Sequence, residues 1–200
     1  NELSTSIGFS LENPFFLVTY HPVTLERATA GSQLDELLQA LEAFPQYRVI
    51  FTKANADTGG QLINDKLDAY VGLHQDRCLA MTSLGLRRYL SAMKCCSAVI
   101  GNSSSGILEA PSFQVPTVNI GDRQKGRVRA KSVLDCEPTN SSILSGINRA
   151  LSQEFHQSFK GLGSPFEQKN TASNIVQNLA SVELQGIIKK SFFDIKTDDG

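Results

Sequence analysis

VIGNSSSGILEAP, residues 99–111, sets a short apolar run against a glycine, three serines, a second glycine and an acid. The run of Val99 and Ile100 reads as a strand buried on both faces. Gly101 allows a tight turn or a close backbone approach directly after it. Ser103, Ser104 and Ser105 then fall at the N-terminus of a short helix that Pro111 curtails. A helix N-terminus offers free N–H groups and a partial positive charge, and hydroxyls beside it complete a cradle for a phosphate. Spacing excludes two related motifs. A P-loop needs a lysine that is missing here, and the hydrolase elbow is G-x-S-x-G where this chain reads G-x-S-x-S-G. The alternative is that one serine caps the helix and the others fill a loop.

Working outward, five more apolar runs read as strands: 15–20 (FFLVTY), 47–52 (YRVIFT), 77–81 (RCLAM), 116–120 (PTVNI) and 132–135 (SVLD), beside 98–101 (AVIG). Most are continuous and not alternating, as strands of a helix-covered parallel sheet are. Helical stripes lie between them. Leu34, Leu37, Leu38 and Leu41 make the first, with Ser32 as N-cap and Pro45 as stop. Ile63, Leu67, Tyr70 and Val71 make the second, and Leu86, Tyr89, Leu90 and Met93 the third. Ile143, Leu144, Ile147 and Leu151 follow a cap at Thr139 or Asn140, and Ile175, Val176, Leu179 and Val182 make the last. Strand and helix alternate throughout, which predicts an α/β fold: a Rossmann-like, doubly wound parallel sheet of about six strands. Residues 1–13 read as a polar lead-in or linker, 14–183 as the domain and 184–200 as a tail, with a linker over 159–173 before the final helix.

The 200 residues are 40% hydrophobic and 20% charged, with net charge −1. That is ordinary globular composition and gives no reason to expect a nucleic acid or a membrane as partner. Cys78, Cys95, Cys96 and Cys136 form no C-x-x-C pair, and three scattered histidines add no zinc spacing, so no metal is expected. A reduced, cytoplasmic protein is the simplest reading. With asparagine at position 1, the chain is expected to be a piece of a larger protein.

Ligands of open α/β sheets sit beyond the carboxyl ends of the strands. After the first strand, Pro22 fixes the backbone of His21 and places its imidazole over the cleft, though a surface histidine in a turn reads equally simply. After the second, Asn55 can meet a ligand edge, while Asp57 or Thr58 caps the next helix. Glu109 can accept from a ribose diol or stand in solvent. After the fifth, five basic residues lie within 123–131, and Arg123 comes first off the strand, placed to fork onto a phosphate pair.

VTYHP, TKANAD, GNSSSGILE and PTVNIGDRQKGR, in this order, resemble the hydrolysing UDP-N-acetylglucosamine 2-epimerases over residues 14–180. The resemblance implies one half, the UDP-binding C-terminal domain, of a GT-B fold. Non-hydrolysing members carry a T-D-S-G-G type sequence where this chain has GNSSSGILE. By this resemblance, Ser103 and Ser104 hold the diphosphate and Glu109 the ribose. His21 and Arg123 contact the phosphates or nearby sugar, and Asn55 lines the pocket. Leu84 and Tyr89 flank the uracil, Tyr89 as an aromatic wall. The implied reaction eliminates UDP to a glycal-like intermediate, then adds water with inversion at C2. It releases a manno-configured 2-acetamido sugar without a cofactor, for sialic-acid-type biosynthesis. Its acid and base belong to the N-terminal domain, which leaves no catalytic residue expected here; that domain and a second copy are the implied partners. Feedback by a CMP-activated sialic acid uses a basic site near the helix over 60–71, where Lys66 is the one basic residue, so that regulation is not expected. The rival readings are a GT-B glycosyltransferase's donor domain and a non-catalytic nucleotide-sugar sensor.

Overall fold

The computed structural model describes residues 2–23, 29–55 and 59–189. They divide into a first unit ending at Phe166 and a second beginning at Glu167. The expected caps Asp57 and Thr58 lie outside the described residues.

The first unit is built on six strands: β1 (Phe15–Thr19), β2 (Arg48–Thr52), β3 (Cys78–Met81), β4 (Ala98–Gly101), β5 (Thr117–Ile120) and β6 (Val133–Cys136). Each falls within a residue or two of its expected run. All neighbouring strands pair parallel, in the order β3-β2-β1-β4-β5-β6. The order reverses between β1 and β4, so a crevice opens there at the carboxyl ends of the strands. This is the Rossmann-like architecture expected of one half of a GT-B fold.

The continuous apolar runs split their side chains between the two faces. Phe16 and Val18 of β1 join Val49 and Phe51 of β2 and Ile100 of β4 in one cluster, while Phe15 and Leu17 join Ile50 and Val99 in another. Every residue of β1, β4 and β5 is buried, whereas the edge strands β3 and β6 are mostly half-exposed. Phe16 stacks on Tyr47 at 4.4 Å and meets the edge of Phe44 at 5.8 Å. Truncating such a residue to alanine costs about 3–5 kcal/mol.

The helices follow the stripes. They are α2 (Ala30–Glu42), α3 (Gly60–Leu73), α4 (Gly85–Cys95), α5 (Ser105–Leu108), α6 (Asn140–Leu151) and α7 (Gln153–Phe159). A 3-10 turn at Ala110–Phe113 follows α5 and carries Pro111 near its start. On α2 the expected leucines are all buried, but the N-cap is Thr29, and Ser32 sits one turn inside, its hydroxyl donating to the Thr29 carbonyl at 2.9 Å. Leu86, expected on the buried stripe of α4, is instead 74% exposed beside the crevice.

The expected lead-in over 1–13 is a packed element. α1 (Glu2–Ile7) leads into Phe9 and Leu11, and Leu3, Ile7, Phe9 and Leu11 pack against the second core cluster. The expected linker over 159–173 is likewise shorter at its start: α7, capped by Ser152, buries Phe155 and Phe159. The second unit holds α8 (Thr171–Ser181), whose apolar residues Ile175, Val176 and Leu179 are exposed, as is Val182 after it. No described helix is long and apolar enough to cross a membrane.

Candidate functional site

β1 and β4 end side by side, and their last residues make the floor of the crevice. Gly101 has φ +130°, a conformation open to glycine, and any Cβ there would run into the carbonyl oxygen of Thr19. The glycine of the GNSSS stretch therefore lets β4 end against β1. At the same level the Thr19 and Thr52 hydroxyls hydrogen-bond each other across β1 and β2.

Asn102 follows and is 1% exposed. Its Oδ1 accepts from the His21 backbone N–H at 2.8 Å, and its Nδ2 donates to the His21 carbonyl at 2.8 Å. One amide thus holds the loop after β1 by both its donor and its acceptor. The Asn102 carbonyl accepts from Arg123 Nη1 at 3.1 Å and from Gln124 Nε2 at 2.9 Å. Three loops, after β1, β4 and β5, are tied together at this residue.

A cavity of about 400 Å3 lies beside this hub, lined by Thr19, His21, Thr52 and Lys53, by the stretch from Thr82 to Leu86, and by Tyr89, Ser103 and Ser105. Hydroxyls dominate its polar lining, and no carboxylate belongs to it among the described residues. Lys53 Nζ is held by Asp68 Oδ2 at 2.6 Å. The Tyr89 hydroxyl meets Ser105 Oγ at 2.5 Å, and Ser105 Oγ donates to Ser103 Oγ at 3.1 Å. Burial raises the Tyr89 phenol above its ordinary range, opposed in part by the hydroxyls of Ser105 and Thr19. It stays protonated at any working pH.

Of the residues expected from sequence, His21, Leu84, Tyr89 and Ser103 line this cavity. The other four do not. Ser104 is the N-cap of α5 and makes no side-chain cap bond, Glu109 ends α5, Asn55 is exposed beyond β2, and Arg123 is exposed with its guanidinium on the Asn102 carbonyl. The serine pair facing the cavity is therefore Ser103 and Ser105, not Ser103 and Ser104. Glu109 follows a single helical turn of four residues as its C-cap. Tyr89 presents its hydroxyl to the serines, a contact that the aromatic-wall reading did not contain. Sequence reasoning also passed over Asn102, Thr19, Thr52 and Lys53. Each is the last residue of a strand or the first after one, and that position was the signal available.

Residues 2–180 match the family model described as UDP-N-acetylglucosamine 2-epimerase. The chain belongs to the UDP-N-acetylglucosamine 2-epimerase family. Over 195 residues it is 37% identical to the GDP/UDP-N,N'-diacetylbacillosamine 2-epimerase (hydrolyzing) of Campylobacter jejuni, covering 97% of this chain and 50% of that protein. It is also 37% identical to polysialic acid biosynthesis protein P7 of Escherichia coli, covering 97% of this chain and 49% of that one. The epimerase-family chain thus spans about half the length of these curated relatives. Among solved structures it is similar to the UDP-GlcNAc 2-epimerase of Methanocaldococcus jannaschii in complex with UDP-GlcNAc and UDP, with TM-score 0.68 and 14% identity. That likeness covers 90% of this chain and 48% of the other and shows the shared fold.

Proposed function

We propose that the crevice between β1 and β4 binds the UDP part of a UDP-2-acetamido sugar, as the nucleotide half of a hydrolysing 2-epimerase. The observation that carries this reading is the hydroxyl-lined cavity at the switch point, in a chain of this family and 37% identical to a relative named as hydrolysing. In the proposed pose Ser103 and Ser105 face the diphosphate and His21 stands on the opposite wall. Arg123, anchored at the turn before Ser103, neutralises charge at the rim. The loop from Thr82 to Leu86 receives the base, and Glu109 and Asn55 meet the ribose side.

The chemistry asks two things of such a site. Elimination of UDP needs the departing diphosphate stabilised, which fixed donors and a cation supply. It also needs a base at C2 and an acid or base to handle water, roles suited to carboxylates. With no carboxylate in the described lining, this half supplies the leaving-group site. The acid and base then come from the rest of the enzyme, its partner in catalysis. The sugar is UDP-N-acetylglucosamine or a UDP-diacetamido sugar, the product a manno-configured 2-acetamido sugar plus UDP, and the setting cytoplasmic. Assembly of the whole enzyme as a homodimer belongs to the same reading.

Two measurements test it. Calorimetric titration with UDP should show saturable, weak binding that Ser103→Ala reduces. Assay of UDP release from UDP-N-acetylglucosamine should show no turnover by this chain alone and turnover when the other half of the enzyme is added. Turnover by the chain alone would contradict the division of roles.

A further inference from the structure

The serines of the cavity are wired to a half-buried phenol, and the wiring has a direction. A hydroxyl carries one hydrogen. Ser105 Oγ gives its hydrogen to Ser103 Oγ at 3.1 Å. The hydrogen between Tyr89 and Ser105, at 2.5 Å, must then come from Tyr89. That polarity suits the groups, because a phenol is a stronger donor than an alkyl alcohol. Burial of Tyr89, which raises its phenol, also keeps it in the donor form. At the far end, Ser103 Oγ accepts from Ser105 Oγ and, at 3.4 Å, from the Ser105 backbone N–H. Its acceptor capacity is committed to the protein, and its own hydrogen is left to point into the cavity that Ser103 lines.

We propose that Tyr89 and Ser105 are positioning residues that turn Ser103 into an obligate hydrogen-bond donor toward a phosphate oxygen of the bound nucleoside diphosphate. This rests on the reading that the cavity takes UDP, and it extends that reading to Tyr89, which has no role at the phosphate in it. Each link polarises the next, so the terminal hydroxyl donates more strongly than a lone serine in water. As negative charge grows on departing UDP, the chain is already oriented, with no reorganisation needed. Tyr89 thereby acts at the phosphate end of the ligand as well as presenting an aromatic ring to the cavity.

The test is a titration of the chain and its variants with UDP and, separately, with uridine, followed by NMR shifts, with thermal melts to confirm folding. Tyr89→Phe keeps the ring and removes the hydroxyl that donates to Ser105. It should weaken UDP binding about three- to tenfold, the range of one net hydrogen bond, and leave uridine binding unchanged. Ser105→Ala should weaken UDP similarly, Ser105→Thr should restore it, and the double variant Tyr89→Phe/Ser105→Ala should lose no more than Ser105→Ala alone. Should Tyr89→Phe fail to fold, the Ser105 pair carries the test. UDP binding by Tyr89→Phe equal to wild type overturns the chain of donors while leaving the UDP reading standing. So do equal losses for UDP and uridine, or losses that multiply in the double variant. Failure of the wild-type chain to bind UDP overturns both.

Discussion

At the scale of single residues, Gly101 shows how a local choice positions a site. Its backbone conformation and the Thr19 carbonyl beside it leave no room for a Cβ. Gly101→Ala combines a left-handed backbone cost with a clash against a buried strand. It should lower unfolding free energy by about 3 kcal/mol or more in urea melts. The need for a glycine there was legible from the sequence; the identity of the group it accommodates was not. For Asn102 the position after a strand was legible, but the clamp it makes was not. Its partner is the backbone of a residue 81 positions away, and no local spacing announces such a pairing. The cysteines give a second prediction. Burial pushes Cys96 and Cys136 up to about 12 and Cys78 to about 11, whereas Cys95 is exposed. Raised values keep the three thiols protonated and unreactive until the pH nears those numbers. At pH 8 iodoacetamide should therefore label Cys95 in the folded chain, and the other three only after denaturation, as peptide mass spectrometry would show.

At the scale of elements, the same device recurs: a side-chain amide holds a loop by its backbone. Asn102 does so for His21, and Asn64 of α3 for Ala54 after β2, with bonds of 2.9 and 3.1 Å. Gln114 receives the Gly161 N–H at 2.8 Å and donates to the Leu162 carbonyl at 2.5 Å. Two of these amides fix loops at the carboxyl ends of strands, where the ligand is proposed to sit. Asn102→Ala leaves an N–H and a carbonyl of the β1 loop without partners, in addition to the lost amide. It should cost about 2–4 kcal/mol of stability and weaken UDP binding as well, measurable by melts and calorimetry. A helix terminus is served in a related way: Glu36 of α2 accepts from the Asn140 N–H at 2.6 Å, where the N-cap Thr139 makes no side-chain capping bond. The strands were legible because burial on both faces makes them continuous apolar runs, and the stripes because burial on one face imposes a period of 3.6. Caps supplied by another helix impose none. α1 was legible in principle, since Leu3 and Ile7 stand one turn apart, but its polar neighbours masked the pair.

At the scale of the whole molecule, the division after Phe166 separates a sheet-based unit from the one containing α8. The Gln114 clamp holds residues 161 and 162, so Lys160 is guarded although exposed, while Lys169 lies beyond it. Limited trypsin digestion should cut after Lys169 before it cuts after Lys160, and the fragment ending there should keep the melting temperature of the sheet unit. The site predicted from sequence was half assembled by the fold. His21, Leu84, Tyr89 and Ser103 share one cavity because the topology brings the ends of β1, β3 and β4 together, whereas Asn55 and Glu109 depend on side-chain directions that a linear pattern does not encode. The most direct test of the account is an NMR titration of this chain with UDP. Saturable shifts centred on His21, the loop from Thr82 to Leu86, and Ser103 to Ser105, and reaching Asn55, Glu109 and Arg123, are the predicted result; no binding, or shifts centred elsewhere on the molecule, would contradict it.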